Sequence, residues 1–164
     1  MILARYLQKT SDAVDRVCTV ITVILLGTMS IVTFLQIICR AFFTSLSWSE
    51  ELARYMLIWL TFIGAGCVHK RAGHISITLF QNIFSGKTRK AFQILTQLLC
   101  IIVFAVAIYY GFSYMQLMGL QLSAAMRIPM RYIYAVIPLG GSVLLLHSVD
   151  RIVRICFHKE DTTK

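Results

Sequence analysis

Two stretches of this chain run for more than twenty residues without a charged side chain. Residues 17–39 form an uncharged run of 23 residues, and residues 91–126 form one of 36. As a helix, the first run is about 34 Å long, enough to cross a hydrocarbon core of about 30 Å. Only 14% of the residues are charged, against about 25% in soluble domains. The pattern favours an integral membrane protein over a very apolar soluble helix bundle.

Charged residues divide the chain into four predicted membrane spans. The second uncharged run, residues 55–68, has only 14 residues and is too short to cross alone. Its helix must therefore include the preceding turn. Pro138, with Gly140 and Gly141 just after it, predicts a kinked or loosened fourth span. We predict a single membrane domain over 1–164, with spans at about 17–39, 48–68, 88–117 and 132–149.

A short amphipathic segment separates the second and third spans. Ile75, Leu79 and Ile83 recur at helical spacing among polar residues, and the segment is too short to cross a membrane. It predicts a helix at about 74–85 lying along the membrane plane. The predicted fold class is therefore an all-α integral membrane protein with four transmembrane helices and a short interfacial amphipathic helix.

Basic residues are unequally divided between the two sides of this arrangement. The two termini and the loop after the second span carry 12 of the 16 lysines and arginines, and the other two loops carry 4. Cytoplasmic segments are enriched in basic residues. The distribution predicts an N-in/C-in topology, with the loops before the second and fourth spans facing outward.

The start of the second span combines aromatic and charged residues. Ser47 and Glu50 have the spacing of a capping box, and Arg54 can pair with Glu50 or Glu51. One interpretation is a capped, self-neutralised helix end. The other is a site that docks a partner subunit or lipid headgroups, and the two are compatible. The candidate docking residues are Trp48, Glu50, Glu51, Arg54 and Trp59.

Two further sets of residues have predicted structural roles. Lys70, Arg71 and His74 lie at the predicted cytoplasmic interface, where phospholipid phosphate or a partner is the ordinary contact. Small residues permit close helix packing in lipid. We favour packing within this chain over contact with a partner for these glycines: Gly64, Gly66, Gly140 and Gly141.

The sequence offers little for catalysis or for autonomous transport. No span has a charged residue at its centre, which argues against an autonomous secondary transporter and against a small exporter that works as an oligomer. No phosphate loop, catalytic triad or zinc motif appears, and the five cysteines form no C-x-x-C pair. We therefore predict no enzyme activity, metal or cofactor, and no nucleic-acid partner. The alternative function is a membrane subunit of an oxidoreductase or cytochrome complex, although only His147 lies clearly inside a span.

The motif after residue 47 resembles a known family. Trp48-x-Glu50-Glu51-x-x-Arg54 is followed by Trp59, Gly64-Ala65 and Lys70-Arg71-x-Gly73-His74-Ile75, and Tyr132, Pro138 and Gly140 come later. These residues resemble the DctQ-like small membrane subunit of tripartite ATP-independent periplasmic (TRAP) transporters. The resemblance covers roughly residues 17–154. Thr78 departs from it, because the family often has an acid at that position.

The resemblance implies a role as helper subunit in the bacterial inner membrane. Its partner would be a large DctM-like permease that holds the sodium and substrate sites. A periplasmic binding protein would deliver an organic acid, of the sialic acid or dicarboxylate type. The small subunit would act as a multi-pass scaffold in contact with membrane phospholipids, without a transport path of its own.

Overall fold

The structure is a computed structural model that describes the backbone of residues 2–42, 44, 46–81 and 87–157. Side chains are described for residues 6–42, 44, 46–71 and 91–155. Within these described residues, four helices are long and apolar enough to cross a membrane, which confirms the predicted all-α membrane fold. The helices are α1 (Ile2–Phe42), α2 (Ser47–Gln81), α3 (Lys87–Leu117), α4 (Met130–Tyr134) and α5 (Val136–Phe157). The fourth candidate span, Met130–Ile155, combines α4 with most of α5.

Helices α2 and α5 occupy the middle of the bundle. Helix α3 packs against α5, and α1 packs against α2 and α5, so α1 and α3 lie at opposite ends of the row. The small core combines Cys18 from α1, Ile63 and Cys67 from α2, and Val136 from α5. Most large apolar side chains of α1 and α3 are exposed. Such faces suit lipid acyl chains or a membrane partner rather than water.

The fourth span is interrupted between its two helices. Proline has no N–H, so Pro138 cannot bond the Tyr134 carbonyl as a helix would require. Helix α4 ends at Tyr134, and the Ala135 N–H bonds the Arg131 carbonyl at 3.0 Å. The chain then resumes helical bonding, with Leu139 N donating to Ala135 O at 3.3 Å. The span is therefore loosened at the place that the proline predicts.

The residues expected to form a separate interfacial helix continue α2 instead. Residues 74–81 are helical, and no break separates them from the preceding span. At 35 residues, α2 is about 52 Å long, so it extends well beyond a hydrocarbon core of about 30 Å. A single glycine, Gly73, is too weak a signal to end a helix. Residues 82–86 of the predicted segment lie outside the described part of the chain.

Several glycines lie where two helices approach closely. A Cβ built on Gly140 would lie 2.9 Å from Phe62 Cβ, and one on Gly66 would lie 2.8 Å from Val143 Cγ1. Both pairs join α2 to α5. Gly141 faces Ile108 of α3, with a corresponding distance of 2.9 Å. At Gly64 the nearest atom is Thr22 Cγ2 of α1, at 3.8 Å, which is ordinary contact. All four glycines face a neighbouring helix of the same chain.

Candidate functional site

A carboxylate near the start of α2 holds the segment between α3 and α4. Glu51 Oε1 accepts hydrogen bonds from Ala124 N at 3.0 Å and from the Tyr55 hydroxyl at 2.6 Å. Glu51 Oε2 accepts from Ala125 N at 2.9 Å and from Met126 N at 2.8 Å. Three consecutive backbone N–H groups that converge on one anion form a nest. Glu51 therefore joins α2 to a segment more than seventy residues away in sequence.

Residues 118–129, which we call the α3–α4 loop, also fold back on themselves. Ser123 N donates to Ile128 O at 2.9 Å, and Met130 N donates to Gln121 O at 2.8 Å. The Ser123 hydroxyl accepts the Ile128 N–H at 3.1 Å. Within this turn the Arg127 backbone has a φ of 52°, a left-handed conformation that residues other than glycine rarely adopt. The loop is thus a bonded turn rather than a loose connection.

The other predicted docking residues do not gather around Glu51. Glu50 accepts a long hydrogen bond of 3.3 Å from Gln36 Nε2 of α1. The described residues show no bond between Ser47 and Glu50 of the kind that a capping box requires. Among the residues with described side chains, Arg54 forms no ion pair with Glu50 or Glu51. For Glu51 the reason is that its carboxylate is directed at the α3–α4 loop. Trp59 packs against the bundle core, whereas Trp48 stays exposed.

Charged residues from three helices meet at the opposite end of the bundle. Lys70 Nζ lies 2.8 Å from Asp12 Oδ1, and Arg71 donates to Thr19 Oγ1 at 2.8 Å with Asp15 3.9 Å away. On α5, Arg154 pairs with Asp150 at 2.9 Å and approaches Asp12 at 3.9 Å. We call this group the three-helix cluster: Asp12, Asp15, Lys70, Arg71, Asp150 and Arg154. The side chain of His74, which we predicted at this interface, lies outside the described residues.

Two histidines near this cluster are used in packing between helices. His147 Nδ1 lies 2.9 Å from Ser11 Oγ, and His69 Nε2 lies 2.9 Å from Ser148 Oγ. The His69 ring also meets Phe104 edge to face. Within the part of the chain whose side chains are described, no three His, Cys, Asp or Glu residues are grouped to hold a metal ion. Both rings are thus engaged by residues of neighbouring helices in the same bundle.

These features define a multi-pass membrane protein with ion pairs at one end of the helix bundle and a carboxylate bound by backbone N–H groups at the other. Residues 29–157 match the family described as tripartite ATP-independent periplasmic transporters, DctQ component. The match covers more than half of the chain, and the chain therefore belongs to this family. Its relatives are transporter permease subunits, and this chain is not an enzyme.

Three relatives show how far the similarity extends. The sialic acid TRAP transporter small permease protein of Vibrio cholerae is 23% identical over 150 residues, 91% of this chain and 87% of that protein. The C4-dicarboxylate TRAP transporter small permease protein of the same species is 24% identical over 107 residues, 65% of this chain and 46% of its own length. The sialic acid TRAP transporter permease protein of Haemophilus influenzae is 28% identical over 129 residues, 76% of this chain but 21% of that protein. The matched region thus spans less than half of two of these relatives.

Proposed function

We propose that this chain is the small permease subunit of a TRAP transporter, and that it scaffolds a large DctM-like permease in the bacterial inner membrane. The complex takes up an organic acid, driven by sodium and supplied by a periplasmic binding protein. The observation that carries the proposal is the family match over residues 29–157. It is supported by the absence of charged residues from the centres of all four spans. A subunit without such groups has no evident route for a charged solute.

The large permease is the partner that the similarities favour. In the Haemophilus influenzae relative, a region similar to this chain makes up about a fifth of one longer permease protein. Domains joined in one chain commonly correspond to separate subunits that work together. The exposed apolar faces of α1 and α3 supply surface for such a partner and for phospholipid acyl chains.

The proposed orientation is N-in/C-in, as the distribution of basic residues predicts. The three-helix cluster then lies on the cytoplasmic side, where the exposed guanidinium of Arg71 can also contact lipid phosphate. The start of α2 and the α3–α4 loop face outward, with Trp48, Glu50 and Arg54 as docking residues. The substrate is of the sialic acid or dicarboxylate type, and its selection belongs to the other subunits.

Co-purification tests whether the two permease subunits form one complex. We expect a tagged large permease, expressed with this chain, to retain it through detergent extraction and gel filtration in a fixed ratio. Separate elution of the two proteins would contradict the scaffold role.

Reporter fusions to the two termini test the proposed topology. Both fusions should show a cytoplasmic location in the same cells. Termini on opposite faces of the membrane would contradict the N-in/C-in orientation.

A further inference from the structure

A histidine beside the three-helix cluster has one ring nitrogen bonded and the other buried. His147 of α5 is 3% exposed, and its Nδ1 lies 2.9 Å from Ser11 Oγ of α1. The other ring nitrogen, Nε2, is buried and has no hydrogen-bond partner among the described residues. A buried polar atom without a partner is costly, and most such atoms in folded proteins bond either protein or ordered water. His147 Nε2 therefore needs a partner that the described side chains do not supply.

A carboxylate oxygen of α1 is in the same situation. Asp15 Oδ1 is buried and unpartnered within the described part of the chain, whereas Asp15 Oδ2 lies 3.9 Å from Arg71 Nη2. Asp15 follows Ser11 by four residues, so both lie on the face of α1 that meets His147. Asp15 is also among the charged groups that act electrostatically on the His147 ring. The two unpartnered atoms thus belong to one packed region between α1 and α5.

Lys70 of α2 brings spare hydrogen-bond donors to this region. Its ammonium group has three N–H donors, and the ion pair with Asp12 at 2.8 Å uses at most one of them. Lys70 Nζ is buried, and it too acts electrostatically on the His147 ring. One buried region therefore combines donors from α2, an acceptor from α1 and an imidazole nitrogen from α5.

The ligand that fits these groups is neutral and can both donate and accept hydrogen bonds. The three-helix cluster has as many acids as bases, so its formal charges cancel and favour neither a cation nor an anion. Asp15 Oδ1 accepts and Lys70 Nζ donates, whereas His147 Nε2 does either, according to the tautomer that the Ser11 bond selects. Water suits all three atoms in both tautomers, and internal waters typically make about three hydrogen bonds to protein.

We propose that His147 Nε2, Asp15 Oδ1 and Lys70 Nζ together bind one internal water molecule, which joins α1, α2 and α5 beside the ion pairs of the three-helix cluster. The water completes hydrogen bonds that the helices do not complete among themselves. Lipid offers no substitute for it, since acyl chains have no polar groups. The proposal is independent of the transporter role, because it concerns only contacts within this chain.

X-ray footprinting of the full chain in detergent tests the proposal. Brief irradiation generates hydroxyl radicals from waters in place, so a buried side chain is oxidised where a bound water touches it. Mass spectrometry should find His147 oxidised in the wild type. Asp15→Leu replaces the acceptor with an apolar group and should lower this oxidation on the order of tenfold, because the water loses one of about three hydrogen bonds.

Asp12→Leu is the matched control for that variant. It makes the same change one turn earlier on α1, at a side chain that is 55% exposed, and should leave the oxidation of His147 unchanged. An unoxidised His147 in the wild type would overturn the proposal, as expected if Nε2 contacts Asp15 directly. Equal oxidation in the wild type and in Asp15→Leu would also contradict it, because the ring would then meet water that Asp15 does not hold.

A double-mutant cycle keeps the proposal testable if Asp15→Leu fails to fold. His147→Asn places an amide near the position of Nδ1, so it can keep the bond to Ser11 while losing Nε2. The effects of His147→Asn and Asp15→Asn on the unfolding equilibrium constant in detergent should be non-additive by about fivefold, because groups that share a ligand are coupled. Additive effects would mean that the two side chains share no water, and the proposal would be wrong.

Discussion

Replacing Gly140 by alanine should lower the melting temperature of the detergent-solubilised protein and weaken the contact between α2 and α5. The added Cβ would lie 2.9 Å from Phe62 Cβ and 3.2 Å from the Phe62 carbonyl oxygen. The carbonyl belongs to the α2 backbone, so rotation of a side chain cannot relieve the contact. Overpacking of this kind costs about 1–3 kcal/mol. Thermal unfolding followed by circular dichroism would measure the change.

Gly64→Ala is the matched control for that variant. It lies on the same α2 helix as Phe62, but the nearest atom to its added Cβ is Thr22 Cγ2 at 3.8 Å. Alanine also favours a helix over glycine by up to about 1 kcal/mol. We therefore expect an unchanged or slightly higher melting temperature. Equal losses in the two variants would show that the α2–α5 contact is not the cause.

Arg154→Ala should also destabilise the protein strongly, because it leaves a buried acid without its partner. The Asp150 side chain is 6% exposed, and Arg154 binds it through two nitrogens at 3.0 and 2.9 Å. Removing one partner of a fully buried pair costs about 3–5 kcal/mol; since Arg154 is 42% exposed, we expect about 2 kcal/mol. The measurement is again the melting temperature of the protein in detergent at neutral pH.

The double variant Asp150→Ala with Arg154→Ala separates pairing from simple loss of contacts. It removes the unpaired buried acid, so it should recover part of the stability lost in Arg154→Ala. A double variant less stable than Arg154→Ala alone would contradict this explanation. The recovery is expected to be partial, because Arg154 also approaches Asp12 of α1.

The four membrane helices could be predicted from the sequence because the hydrocarbon core imposes a length on any helix that crosses it. The uncharged run of residues 17–39 lies within α1, and the short run of residues 55–68 lies within an α2 that recruits the preceding turn, as expected. Pro138 likewise predicted the loosened fourth span, since a missing N–H acts locally. The length of an uncharged run and the missing N–H of a proline can both be read directly from the sequence.

Partners distant in sequence could not be predicted in the same way. The nest around Glu51 is made of backbone N–H groups, which every residue other than proline possesses, so residues 124–126 carry no recognisable signal. The expected pairing of Arg54 with Glu51 was based on helical spacing alone. It did not include the backbone N–H groups of residues 124–126, which bind the Glu51 carboxylate instead. The acids Asp12 and Asp15 recur at helical spacing in the basic N-terminal segment, which was the available signal for the three-helix cluster.

The sequence also did not predict that α2 continues past its membrane span in place of a separate interfacial helix. The polar and apolar residues after Gly73 suit a helix in either position, separate or continuous. Helix formation is cooperative, so extending an existing helix costs less than nucleating a new one. This preference explains why residues 74–81 join α2.

The scaffold role is tested most directly by measuring substrate uptake into liposomes that contain the purified chain. Sodium-free liposomes allow an inward sodium gradient, and sodium-loaded liposomes serve as the control without one. The chain alone, with or without an inward sodium gradient and the binding protein, should take up no labelled sialic acid or dicarboxylate. Addition of the large permease to the same liposomes should produce uptake that requires both the gradient and the binding protein. Uptake by this chain alone would contradict the account, because its four spans would then contain a transport path.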